Sequence, residues 1–332
     1  IIEKKPQDDK LIFSLAEHSI KSNEPERAFM YCLKSAEISR QKNSLNESLS
    51  YYQKALQFAN SQAQNLVTIQ SEMSDILIAL GKYAEASVTL TELLQNTVIT
   101  NIERVNITNK ISECLQRQGN YNEALSKLNQ SLHILNAELY DRNFSLGIFF
   151  DKAEIFLRQH FFKWTASTER SARLVAICNT LQKLWMVQVI NNNKPLLHIS
   201  YRFLKVATQL RQPKELATAN QYLALTVSNV NKPNFKLGLF HAQKAVELGQ
   251  QINAHEIVAG ALIRMAAFLT WQAKSREAIN YAERARETLL SVGNMWDLGN
   301  AIIFIYFSNK TLGVLPEALA TAQSLVKLGE RT

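Results

Sequence analysis

The sequence predicts an all-α protein, an α-solenoid of antiparallel helix pairs repeating every 38–40 residues and coiling as a right-handed superhelix. Three observations predict it. Gly119-Asn120-Tyr121-Asn122-Glu123-Ala124-Leu125 runs on to Leu128, Ser131, Leu132 and Leu135, which places apolar and small residues along one helical face after a glycine turn. The pattern returns at Gly81-Lys82-Tyr83-Ala84-Glu85-Ala86 and again around Ser48, Ala278 and Ala318. Finally, Pro (6) and Gly (10) are scarce while the hydrophobic share is 46%, which disfavours both a turn-rich β fold and a disordered chain.

Residues 8–22 read as a first helix, with Leu11, Leu15, His18 and Ser19 along one stripe. Asn23-Glu24-Pro25-Glu26 interrupts it, and Pro25 opens a second helix in the first turn, where its missing N–H costs nothing. That helix extends to about Lys42. Ser44-Leu45-Asn46-Glu47 matches the capping-box spacing for a third helix carrying Leu49, Tyr52, Ala55 and Leu56. Pairs follow at 62–80 with 82–96 and at 101–118 with 121–137. A helix at 142–160 precedes a weaker unit around Ala166–Ser167, and the next stretch has room for a degenerate pair near 181–210. Ser48, Ala86 and Ala124 are spaced by 38 residues, and Gly238, Ala278 and Ala318 by 40. The expected organisation is therefore leading helices over 1–43, regular repeats over 44–140, degenerate and strongly basic repeats over 141–215, and regular repeats over 216–332. About seven repeats are expected, and such pairs bury their apolar faces only by stacking on neighbours.

The small residues at Ala278, Ala282 and Ala285, together with the Gly81-Lys82-Tyr83 and Gly119-Asn120-Tyr121 turns, resemble the second helix and inter-helix turn of the tetratricopeptide repeat. The resemblance is clear over 44–137 and 234–330 and poor between them. The units exceed the usual period of roughly 34 residues and lack most of its aromatic and proline landmarks. Longer repeats of this kind resemble the helical tails of signalling ATPases, among them maltose-activator-type regulators and ATPase-linked adenylyl cyclases. Leu15-Ala16-Glu17-His18, Glu24-Pro25-Glu26-Arg27-Ala28 and Ala36-Glu37 are similar to the junction where such ATPase regions pass into their repeats. That resemblance implies a regulatory or sensor module holding a protein or peptide partner, or its own flanking domains.

No catalytic, cofactor or metal site is expected. Walker-type phosphate loops, zinc-binding His spacings and nucleophile-elbow serines are missing from the sequence, and the six histidines fall on separate helices. Cys32, Cys114 and Cys178 lie far apart within apolar patterns and read as buried thiols in a reducing cytoplasm. No apolar run approaches the roughly 20 residues that span a bilayer. The opening Ile1-Ile2-Glu3-Lys4-Lys5-Pro6 lacks an initiator Met and the layout of a secretion signal, as expected of a piece of something larger.

Charge supplies one candidate surface. The chain carries a net +8, yet ten basic residues stand between Arg158 and Lys214 against one carboxylate, Glu169. Lys163 and Lys194 are among them, interleaved with Phe161, Phe162, Trp164 and Trp185. Such a stretch suits an acidic protein surface or, as an alternative, single-stranded nucleic acid; it also fits a plain solvated face over core aromatics. Arg170 and Arg173, and Arg202 and Lys205, share faces at i,i+3 and are the expected basic patch. A second candidate comes from register. If the first helix of each pair lines the concave side, Asn106, Asn109, Glu113, Arg117, Ser71, Asp75, Asn300 and Lys310 are exposed there. Asn and Arg can hydrogen-bond the main chain of an extended peptide.

Overall fold

The computed structural model describes residues 9–59, 63–95, 99–139, 144–161, 167–191, 195–229, 233–292 and 294–330. Among them are sixteen α-helices and no strand. The chain divides into two compact units, Ile1–Asn136 and Ala137–Thr332. The first holds α1 (Asp9–Lys21), α2 (Pro25–Gln41), α3 (Leu45–Phe58), α4 (Ala63–Ala79), α5 (Tyr83–Leu94), α6 (Asn101–Arg117) and α7 (Tyr121–Ile134). The second holds α8 (Phe144–His160), α9 (Thr168–Asn191), α10 (Leu196–Leu210), α11 (Pro213–Asn229) and α12 (Phe235–Gln251). It continues with α13 (His255–Trp271), α14 (Ser275–Val292), α15 (Met295–Leu312) and α16 (Leu315–Gly329).

Within the first unit each helix packs on the next in sequence, as a stack of helix pairs requires. The turns between them are made by residues in the left-handed region. Asn43, Gly81 and Gly119 have φ of 60°, 74° and 82°, and Ala273 and Gly313 repeat the feature in the second unit at 58° and 75°. After each, an amide reaches back to close the helix end, as in Lys82 N–H to Leu77 O at 2.8 Å and Asn120 N–H to Leu115 O at 2.8 Å. Only glycine adopts this geometry without steric cost, and asparagine tolerates it best among the others.

The same turn overrides the expected cap at Ser44. Its backbone (φ −85°, ψ 68°) is drawn out of the extended region by Asn43, and its side chain makes no cap hydrogen bond. Thr100, at φ −69° and ψ 163°, forms the capping box instead. It accepts from Glu103 N–H while Glu103 accepts from Thr100 N–H.

The small repeat positions sit where helices approach most closely. Ala86, Ala124 and Ala278 have no exposure, and the equally buried Ser48 donates its hydroxyl to Ala36 O at 2.7 Å. A Cβ at Gly238 would lie 3.1 Å from the Phe268 ring and 2.1 Å from Ser228 Oγ, so α12 packs there against α11 and α13 on backbone alone.

The irregular middle differs from the expected extra pair near 181–210. Residue 181 lies inside one 24-residue helix, α9, and α10 follows and packs back on it, so the pair spans Thr168–Leu210. α8 packs on α10 rather than on α9, and α10 also contacts α9 and α11. From α9 onward the helices pack consecutively, with α11 also touching α9 and α13, and α13 touching α15.

Candidate functional site

α10 has the most one-sided distribution of polar residues in the chain's irregular region. His198, Arg202, Lys205 and Gln209 recur at helical spacing and all turn toward α8. There they meet Asp151, which has no solvent exposure. Arg202 donates from Nε to Asp151 Oδ2 at 2.9 Å, Lys205 Nζ stands 2.7 Å from Oδ1, and His198 Nε2 lies 3.7 Å from Oδ2. Glu154, one helical turn along α8, accepts from Arg158 Nε and Gln209 Nε2 at 2.8 Å each and lies 3.5 Å from Lys205. These cations hold the Glu154 carboxyl below its ordinary range against the opposing effect of burial.

This geometry corrects half of the expected basic patch. Arg202 is 8% exposed and Lys205 is largely covered, so both serve an internal ion cluster rather than a solvent-facing surface. The carboxylates that neutralise them, Asp151 and Glu154, stand just before the window in which the charge was counted. Their i,i+3 spacing on α8 matches that of Arg202 and Lys205 on α10, a signal the sequence did carry. Arg170 and Arg173 are exposed on α9, apart from that cluster. Lys163, Lys194, Phe162 and Trp164 lie outside the described residues.

The register-derived residues divide likewise. Ser71 and Asp75 on α4 are brought together by Lys110 of α6, which donates to Ser71 Oγ at 3.0 Å and sits 2.7 Å from Asp75 Oδ1. Asn106 and Arg117 are exposed, Glu113 and Asn300 half-buried, and Lys310 exposed. Asn109, expected at the surface, is 3% exposed and belongs to the interior of α6 beside Thr108 and Ser112. Lys110 was the missed member of the group, at the register position next to Asn109.

A feature that register alone did not reveal is a groove of about 760 Å³ within the second unit, formed by α8, α10, α11 and α12. α8 packs on α10 there, and α10 on α11. Its walls carry two exposed phenyl rings, Phe156 of α8 at 55% and Phe240 of α12 at 62%. Phe156 stacks on His160 at 4.4 Å between ring centres, and Phe161 extends the aromatic cluster. Lys152, Arg158, Arg211 and Lys244 also line it, and among the described residues no carboxylate does. Lys152 lies over the Tyr201 ring at 4.6 Å.

At the groove floor His241 is 8% exposed, and burial lowers its pKa to about 4, so the ring is neutral near pH 7. Asn220 fixes its tautomer. The Asn220 amide donates to Leu216 O, so its carbonyl oxygen, 2.7 Å from His241 Nδ1, accepts from that nitrogen. Nε2 is left as an acceptor. The arrangement can bind polar and apolar groups side by side. Among the described residues no group of three His, Cys, Asp or Glu could hold a metal ion, and no helix is long and apolar enough to cross a membrane.

No protein-family model matches the sequence, and no curated protein matches it. Solved structures do match in fold. A signal transduction ATPase with numerous domains (STAND protein) with a tetratricopeptide repeat sensor, from Pyrococcus horikoshii, is similar at 13% identity and a TM-score of 0.60. That match takes in 99% of this chain and 47% of the other, so this chain spans about half of that protein's length. The apo quorum sensor NprR of B. thuringiensis is similar at 12% identity and a TM-score of 0.63, over 97% of this chain and 82% of that one. Apo RapI is similar at 12% identity and 0.62, over 91% and 98%. The fold is thus a tetratricopeptide-like helical repeat array.

Proposed function

We propose that this chain is a non-catalytic interaction and sensor module that binds a protein or peptide partner, and that it forms the helical-repeat tail of a multidomain signalling ATPase or cyclase. One observation carries the reading: nearly the whole chain corresponds in fold to about half of a STAND protein that has a tetratricopeptide repeat sensor. The similarity to a quorum sensor points the same way. In such a module the repeats hold a partner, or the protein's own catalytic domains, and a ligand releases them. Arg170 and Arg173 on α9 are the exposed cations offered to an acidic partner, and Asn106, Arg117 and the Ser71–Lys110–Asp75 group are the polar contacts of the first unit.

The test is affinity capture from lysate of the native source at low and moderate salt, with and without nuclease, followed by identification of the captured proteins. A defined protein that survives nuclease, and is lost when Arg170 and Arg173 become glutamate, supports the reading. Material that vanishes with nuclease and falls steeply with salt transfers the function to nucleic-acid binding. Cloning of the flanking coding region, with an ATP-binding assay on the longer product, tests the ATPase-tail assignment separately.

A further inference from the structure

We infer that the groove between α8, α10, α11 and α12 is a binding site for a short acidic peptide segment that carries an aromatic or aliphatic side chain. The inference rests on the interaction-module reading and gives that module a particular site and ligand chemistry.

Three properties of the groove select this occupant. Its charge is one-sided. Arg158 is engaged by Glu154 and Lys244 by the exposed Glu247, but among the described residues Lys152 meets only the Tyr201 ring, which leaves its ammonium to receive a carboxylate. Its walls carry unfilled apolar surface: Phe156 of α8 and Phe240 of α12 both line a concavity of about 760 Å³ with more than half of their surface exposed. Ligand pockets typically enclose about 300–1,000 Å³, and exposed aromatic patches of this kind mark interaction sites.

The floor supplies the third property. His241 Nε2 is a hydrogen-bond acceptor held in place by the Asn220 contact to the other ring nitrogen, so it can receive a donor from the ligand. A peptide meets all three conditions at once. A main-chain N–H donates to Nε2, an apolar side chain packs on the phenyl rings, one flanking carboxylate reaches Lys152, and another displaces the exposed Glu247 from Lys244. A nucleic acid or a lipid headgroup also supplies negative charge, and the competition arms of the test separate these sources from a peptide.

The site is separate from the register-derived surface. It uses α12 and α10, and none of the residues expected to line the concave side takes part.

The test is to pan a phage-displayed library of random heptapeptides against the full chain. Enriched sequences are then remade as fluorescein-labelled peptides and measured by fluorescence anisotropy. The expected result is enrichment of acidic sequences with one large apolar residue. Their affinity should fall at least tenfold in the Lys152→Glu, Lys244→Glu double variant and in the Phe156→Ala, Phe240→Ala double variant. These four side chains are exposed, and thermal melts of both variants establish that the fold is retained.

Enrichment of neutral or basic sequences, or affinity unchanged in both variants, overturns the site. So does displacement of the peptides only by polyuridylate RNA or phosphatidylserine vesicles and not by excess unlabelled peptide. A third variant, Asn106→Asp with Arg117→Glu, separates the two readings. If this variant alone abolishes binding, the interaction-module reading stands and the groove assignment falls; if no sequence is enriched at all, both fall.

Discussion

Arg202 Nε lies 2.9 Å from Asp151 Oδ2, joining α10 to α8 through a carboxylate that has no contact with solvent. Lys205 and Arg202 together more than compensate the Asp151 charge. Removal of the acid would leave two cations facing each other in a covered interface, and breaking a buried pair from one side typically costs about 3–5 kcal/mol. Asp151→Ala should lower the stability of the second unit by that amount in urea unfolding.

Reversing the charges one pair at a time should separate surface from interior. Arg170→Glu with Arg173→Glu alters exposed positions and should shift stability by less than about 1 kcal/mol. Arg202→Glu sets a carboxylate against Asp151 and should destabilise the unit by at least as much as Asp151→Ala. Circular dichroism melts of the two proteins, side by side, check the difference.

How much of this was legible in the sequence depends on the range of the signal. The turns at Gly81 and Gly119, Pro25 at the start of α2, and the small residues at Ser48, Ala86 and Ala124 are local features, and local spacing revealed them. The Asp151 cluster was hidden because its partners are 51 residues apart on helices that are not sequence neighbours. A charge count along the chain cannot register that pairing. Ser44 misled for the opposite reason: the residue types of a capping box were present, but the preceding left-handed Asn43 set a backbone the cap cannot use. The groove required knowing that α8 packs on α10 rather than on α9, and α9 read as the end of one unit and the start of another.

His241 predicts a pH dependence. Its pKa is lowered by burial from 6.5 to about 4, so between these values the unfolded chain takes up a proton that the folded one refuses. Stability is fully retained above this window and declines as pH falls through it, with a loss of about 1 kcal/mol by pH 5.5. Urea titrations at pH 7.5 and 5.5 should show the loss in the wild type and a smaller one in His241→Gln.

The three thiols should be inert in the folded protein. Cys32, Cys114 and Cys178 are buried, and burial raises the Cys32 thiol to about 11 and the Cys178 thiol further still. The thiolate is the reactive form. Iodoacetamide at pH 8 should therefore label none of them quickly in buffer and all three in denaturant, as counted by intact mass.

The packing of α8 on α10 also bears on how the chain assembles. Nearly every helix packs against the one just made, so most of the array closes only short loops and should form rapidly, pair by pair. The exception is α8, whose partner arrives only after the 24 residues of α9 have passed. Closing that longer loop is an entropic toll the rest of the array does not meet. Until α10 follows, a nascent chain holds α8 without the helix it packs on, with its phenyl rings uncovered.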